Sequence, residues 1–494
     1  MSRLVFHQGA ETVTVTFDPP ARVAELMLRA GLTQPHPCGG RGGCGKCAVE
    51  ADGHFAPPTP AEKKWGARLS CQMTALGDGE VTLPAAETHH IETAVAAPVA
   101  ASCPMAGRLG LAVDVGTTTL AARLVELSSG RALGGAECLN PQTAVAADVM
   151  GRIGAALEGK LPLLQAQALQ ALGQLLEEAC RRAARDAAEV DALVVTGNTT
   201  MLYLLTGRDP VSLARAPFEA DTLFGTEERV LGRRAYLPRC MNAFVGADIT
   251  CAVLSSGMCD RDATALLCDV GTNGEIALWH RGQLLVSSTA AGPAFEGAGV
   301  SCGCGSVPGA VDRVTLRDGQ MTVHTLDDAP AVGICGSGLI DATAAFLARE
   351  DISPTGKIAP EGLRLCEGVT LLPGDVRAVQ LAKAAIAAGV QVLLDTAGIR
   401  PEDVETLYVA GGFGSHLNLN SAARIGLIPP VLTGRAKVLG NAALSGALAL
   451  MGDTGLAARS ARIASCARHV TLSGSPTFNE AYVENLLFGE DDDF

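Results

Sequence analysis

Apolar and polar positions alternate with period two through residues 1–17, MSRLVFHQGAETVTVTF, the pattern of a β-hairpin with one buried face. From Val23 the run ValAlaGluLeuMetLeuArgAla takes up helical spacing, and a Gly- and Cys-rich loop follows. Between about Ala85 and Met105 the chain turns Ala-, Pro- and Thr-rich and loses any amphipathic period, which reads as a partly extended linker. From Arg108 onward, short apolar runs suited to buried strands alternate with longer helical patterns. Leu161–Ala187 and Val376–Ala397 are the two long helix candidates, and the runs near Ala192 and Thr406 read as further buried strands.

An internal repeat organises this larger part. LGLAVDVGTTTLAARLVEL from Leu109 and ALLCDVGTNGEIALWHRGQ from Ala265 both run apolar strand, D-V-G-T turn, second strand, and a third strand candidate follows each. Asp114 and Asp269 mark equivalent positions 155 residues apart. A duplicated body with a cleft between its copies follows. The expected domains are residues 1–86, a linker over 87–107, a first lobe over 108–260 and a second over 261–494.

Composition narrows the function classes. At 494 residues with 48% hydrophobic and 18% charged positions, the chain buries sizeable cores, and 4% aromatics with abundant Gly and Ala suit tight α/β layers. A net charge of −14 excludes a nucleic-acid binder. No uninterrupted apolar run of membrane-spanning length is present, and the N-terminus lacks the apolar core of a signal peptide. The sixteen Cys are too dispersed for a disulfide scaffold. Reduced thiols, metal ligation and a cytoplasmic location are therefore expected.

Four of those cysteines form a spacing of C-x5-C-x2-C-x23-C: Cys38, Cys44, Cys47 and Cys71. Four thiolates, three of them on one loop, are the ligand set of a 2Fe–2S cluster. Gly39, Gly40, Gly42, Gly43 and Gly45 supply the positive φ angles that let a backbone wrap a cluster and aim N–H groups at sulfur. A structural zinc site is the competing reading, but a second short knuckle around Cys71 is lacking. Cys302 and Cys304, in SCGCG, are a further metal candidate; His36, His89, His90 and the acidic tail receive no role.

The two D-V-G-T turns present a strand-end carboxylate beside backbone N–H groups, a geometry that cradles phosphate while an aspartate positions a Mg²⁺-bound water. A third Gly-rich turn, Val409 to Gly414, allows close approach of an adenosine. The plainer alternative is that these glycines only close strand-to-helix turns.

With these motifs in order, the chain resembles the acetate kinase, sugar kinase, Hsp70 and actin superfamily. The segments Asn140–Val149, GNTTM from Gly197, VGAD from Val245, GPAFEGAGVSCG from Gly292 and ICGSGLID from Ile334, together with the N-terminal cysteine loop, narrow this. The sequence is similar to the reductive activators of corrinoid proteins, also called corrinoid activation or O-demethylase activating enzymes. The resemblance implies a β-grasp ferredoxin-like domain followed by a duplicated two-lobe ATPase fold. It implies ATP-driven transfer of one electron from the cluster to a Co(II) corrinoid protein, which restores Co(I) for methyl transfer. It also implies an upstream low-potential electron donor and a homodimer. By the same resemblance, Asp114 and Asp269 position Mg²⁺ and water, and Gly116, Thr117, Thr118, Gly271, Thr272 and Asn273 contact phosphate. Gly411, Gly412 and Gly414 contact adenosine, and Asp248 orients the attacking water. Many family members carry a further domain between the ferredoxin and the ATPase lobes, which this chain is expected to lack. The alternatives from the residues are an ATP-driven activator of another low-potential enzyme, a small-molecule kinase with a regulatory cluster, and a plain electron carrier.

Overall fold

The alternating N-terminus does form a hairpin: Ser2–Gln8 and Glu11–Phe17 pair antiparallel, with Leu4 opposite Val15. The computed structural model describes residues 1–9, 11–32, 34, 40, 42, 45–84, 108–412 and 417–489. They fall into two units, one comprising the N-terminal residues to 84 with Pro141–Lys160, the other residues 108–140 and those from Leu161 onward.

In the first unit, Thr74–Leu83 lies parallel to Ser2–Gln8 and antiparallel to Ala48–Phe55, giving a six-stranded mixed sheet. Leu4, Phe6, Val15, Phe17, Val81 and Leu83 bury one face of it. The helix Val23–Arg29 covers that face with Val23, Leu26 and Met27, the i, i+3, i+4 stripe that its sequence encodes. This is the ferredoxin-like β-grasp arrangement. A second short helix, Pro60–Trp65, is fixed at its start by a capping box in which Thr59 and Glu62 exchange hydrogen bonds.

The second unit holds the repeat as two six-stranded sheets of matching core order. In the first copy, Leu109–Val115, Thr119–Glu126 and Arg131–Leu139 form an antiparallel meander, and Val190–Gly197 and then Arg233–Leu237 add parallel on the other side. In the second, Ala265–Val270, Gly274–His280 and Gln283–Thr289 form the meander, and Thr406–Gly411 and Ala436–Gly440 add in the same way. This is the duplicated α/β arrangement of actin, Hsp70 and sugar kinases.

The helices between the sheets pack on both. Ala247–Ser256, which follows the first sheet, packs Ile249, Ala252 and Val253 against Leu267, Ala277 and Val286 of the second sheet, and Cys251 and Leu254 against the first. Ala442–Gly452, which follows the second sheet, packs Leu444, Ala447 and Leu448 against Ala112, Val125 and Val194 of the first. The two helices cross so closely that a Cβ on Gly446 would lie 2.1 Å from the carbonyl oxygen of Cys251. Only glycine permits this approach.

The long helices match their sequence patterns with shifted ends. The first runs Leu161–Arg182 and stops short of Ala187 because Ala184 takes a positive φ of 51° and Arg185 N–H turns back to the Cys180 carbonyl. The second begins earlier than its pattern, at Pro373, where proline in the first turn costs no hydrogen bond. That helix, Pro373–Ala397, is long and apolar enough to cross a bilayer by composition. It instead buries Val376, Val379, Ile386, Val390 and Leu393 among the residues of the second sheet.

Candidate functional site

Around the cysteine loop, the structure places Cys47 and Cys71 together, with their sulfurs 3.2 Å apart and both side chains almost fully buried. The Ser70 N–H donates to the Cys47 carbonyl at 2.9 Å, fixing the two ligand-bearing segments side by side. The loop takes the predicted left-handed glycines: Gly40, Gly42 and Gly45 have φ of +74°, +72° and +69°. Side chains are excluded at two of them, since a Cβ would lie 2.7 Å from the Ala61 Cβ at Gly42 and 2.8 Å from the Trp65 ring at Gly45. Trp65 Nε1 donates to the Gly42 carbonyl at 3.0 Å, and Gln72 Nε2 to the Gly40 carbonyl at 2.6 Å. The hydrogen bond that the Cys47 thiol donates to Cys71, followed by burial, pushes the Cys47 thiol far above its ordinary range. Iron would bind the two sulfurs as thiolates. Cys38, Cys44, Gly39 and Gly43 lie outside the described residues. Cys47 and Cys71 thus fit a cluster ligand set. Cys302 and Cys304 do not assemble one, because no group of three or more metal-binding side chains occurs among the described residues.

In the second unit, Asp114 and Asp269 occupy the same place in their copies, one residue from the end of the first meander strand. Burial pushes the Asp114 carboxyl up to about 6, against the lowering effect of an amide hydrogen bond. That bond comes from Asn441 Nδ2 at 2.9 Å, and Asn441 also caps the helix Ala442–Gly452 by accepting from Leu444 N–H at 2.7 Å. Burial, then Asp114, then Glu296 push Asp269 up to about 7. Asp248 sits in the first turn of Ala247–Ser256, capped by Gly246, and accepts from the Ile249 N–H at 2.8 Å. Burial, then the charges of Asp114 and Asp269, push it up to about 8. Glu275, directly opposite Asp269 on the neighbouring strand, is raised as well by burial and by Asp248 and Asp269. These carboxylates form one repelling, desolvated set, and such a set favours a bound cation.

The turns above them are held from both sides. In the first, Asn140 Nδ2 donates to the Gly116 carbonyl at 2.8 Å, and Asn198 Nδ2 donates to the Thr117 hydroxyl at 3.0 Å. A Cβ on Gly116 would lie 2.5 Å from the Thr119 carbonyl oxygen. The hydroxyls of Thr118 and Thr272, one from each copy, are 3.0 Å apart, and both donate to Glu296 Oε2. Asn273, the neighbour of Thr272, completes the second turn, where Gly271 N–H donates to the Asn273 carbonyl at 3.2 Å.

Two glycines prove equivalent. A Cβ on Gly197 would lie 2.7 Å from the Val115 carbonyl oxygen, and one on Gly411 would lie 2.3 Å from that of Val270. Gly411 is therefore required by strand packing. A Cβ on Gly412 would meet nothing within 4 Å among the described residues. Gly414 lies outside the described residues. The sequence reading missed Asn441, and its motifs contained Glu296, Glu275, Asn140 and Asn198 without a role for any of them.

Comparison with known proteins follows this layout. Residues 5–76 match the 2Fe–2S iron–sulfur cluster binding domain, 109–261 the RACo middle region, and 263–493 the C-terminal domain of RACo, the ASKHA domain. Over 427 residues the chain is 31% identical to the corrinoid activation enzyme RamQ of Eubacterium limosum, covering 77% of this chain and 70% of the relative. The chain belongs to this family of corrinoid protein activators. A Co(II) methylated amine-specific corrinoid protein reductase of Methanosarcina barkeri is 28% identical over 348 residues, 61% of this chain and 64% of the relative. A solved reductive activator for a corrinoid, iron–sulfur protein superposes with a TM-score of 0.73 at 26% identity, covering 99% of this chain and 98% of that one. The first copy of the repeat thus coincides with the part of the chain that matches the family's middle region.

Proposed function

We propose that the protein is an ATP-dependent reductive activator that passes one electron to the Co(II) of a corrinoid protein, restoring Co(I). The observation that carries this is one chain holding both a cluster-binding β-grasp and a cleft where two phosphate-type turns, from duplicated sheets, share the Thr118–Thr272 contact. The reading takes its partner from the relatives' named activities. Cys38, Cys44, Cys47 and Cys71 would hold a 2Fe–2S cluster, which supplies one low-potential electron at a time.

The chain's own residues set up the ATP side. Gly116, Thr117, Thr118, Gly271, Thr272 and Asn273 offer backbone and hydroxyl donors to phosphate, and Gly411, Gly412 and Gly414 would be the adenosine contacts. Asp114 and Asp269 would hold a Mg²⁺ through its waters, in keeping with an ion that gives up water reluctantly. Asp248, whose proton affinity lies near neutrality, would orient the attacking water and take its proton. The drive required is modest, since moving one electron uphill by 100 mV costs about 2.3 kcal/mol. A homodimer and an upstream low-potential donor complete the scheme.

The test mixes the purified full chain, a reductant, Mg²⁺ and a Co(II) corrinoid protein, with and without ATP, and follows the visible spectrum. Growth of the Co(I) band only when ATP is present is expected. Growth indifferent to ATP, or none at all, would sink the reading.

A further inference from the structure

Glu296 belongs to neither repeated turn, yet its carboxylate touches both. It ends the short helical segment Pro293–Glu296 that follows the last meander strand of the second copy. Thr118 Oγ1 donates to its Oε2 at 2.7 Å, and Thr272 Oγ1 donates to the same oxygen. Its Oε1 lies 3.3 Å from where a Cβ on Gly271 would stand, directly over the second turn. A threonine hydroxyl has a single proton to give. With both protons committed to Glu296, neither hydroxyl is available to a phosphate oxygen, and the carboxylate would repel the phosphate as well.

We infer that Glu296 is a clasp that ties the two turns together through Thr118 and Thr272, and that a nucleotide phosphate must displace it to bind. The inference deepens the ATP-dependent reading above and rests on it. Displacement would not stay local. Gly292 N–H donates to the Thr272 carbonyl at 2.9 Å, and the backbone N–H of Ser301 donates to Asp375 at 2.7 Å. Gly297, with φ of +74°, sits so close to the Cys304 backbone that a Cβ would fall 2.0 Å from its carbonyl oxygen. The segment from Gly292 to Cys304 is thereby tied at one end to a phosphate turn and at the other to the first turn of Pro373–Ala397. Movement of Glu296 would pass along this segment to that helix.

Two substitutions in the full chain test the clasp. Glu296→Gln keeps the shape and an acceptor oxygen but removes the charge. Titration calorimetry should show ADP and ATP binding about tenfold more tightly than to wild type, with adenosine unchanged. Glu296→Ala, which cannot clasp, should lower the melting temperature without nucleotide, and saturating ADP should restore it to the wild-type value with ADP. Equal or weaker ADP binding by Glu296→Gln overturns the clasp, whether or not phosphate release is also lost. So does a melting deficit in Glu296→Ala that ADP leaves unchanged, which marks a structural brace. Wild type that binds adenosine but not ADP removes the clasp alone, whereas wild type that binds neither removes the nucleotide reading and the clasp with it.

Discussion

The side-chain amide of Asn441 donates to the carboxylate of Asp114 at 2.9 Å, joining residues 327 positions apart and belonging to different copies of the repeat. The same side chain caps the helix Ala442–Gly452, so the carboxylate at the end of one sheet is oriented by the start of the other copy's helix. Replacing Asn441 by Ala should cost about 1 kcal/mol through the lost cap alone. It also leaves the buried Asp114 without that donor and raises its proton affinity further. Chemical denaturation should show the loss, and phosphate release should fall more than stability does. Equal stability in the two proteins would show that the bond contributes nothing.

The raised carboxylates set a pH dependence of definite sign. Asp114, Asp269 and Asp248 all bind a proton more tightly in the folded chain, with values of about 6, 7 and 8. Their contribution to stability is intact below about pH 4 and is lost progressively as pH rises through those three values. Urea midpoints measured between about pH 5 and pH 9 should therefore decline more steeply in wild type than in Asp248→Asn. At about pH 8 the variant should be the more stable by about 2 kcal/mol while losing phosphate release. A variant less stable than wild type at that pH contradicts the assignment of burial as the main cause.

The close crossing of Ala247–Ser256 and Ala442–Gly452 predicts a large effect from one methyl group. In Gly446→Ala the new Cβ would lie 2.1 Å from the Cys251 carbonyl oxygen, and the obstacle is backbone that cannot rotate away. A loss of about 3 kcal/mol is expected, read from urea denaturation. Gly434, whose Cβ position is open, should accept Ala with little change, and similar losses at both positions would refute the crossing as the cause.

Cys47→Ser and Cys71→Ser should each abolish the visible absorbance of the cluster and reduce bound iron from about two per chain towards zero. Cys302→Ser and Cys304→Ser should leave both intact. Iron lost from the second pair would place a metal where no ligand group is assembled among the described residues.

The sequence pattern revealed those features that repeat or recur locally. The two D-V-G-T turns were visible because copies 155 residues apart carry the same strand–turn–strand code. The left-handed glycines of the cysteine loop were visible because that backbone is costly for other residues. Asn441 was not, because an Asn before AlaAlaLeu announces only a helix cap, and its second bond is made across the repeat. Glu296 lay inside the GPAFEGAGVSCG motif, but its part was not legible there, since its meaning comes from hydroxyls in two distant turns. Glu275 had a weak local signal: a glutamate near the start of a mostly apolar strand, six residues past the D-V-G-T start, which strand pairing sets directly opposite Asp269. At Gly411 the neighbouring Val270 carbonyl excludes a side chain, a packing reason that the sequence alone does not display.

The helices shared between the sheets have a consequence for how the duplication can be handled in the laboratory. Each copy's following helix also covers the other copy's sheet, so a chain cut near residue 261 yields two pieces that each expose an apolar sheet face and an apolar helix face. Neither piece is expected to fold alone. Produced together, they should find each other and reassemble, a natural split protein whose complementation reports directly on the cleft between them.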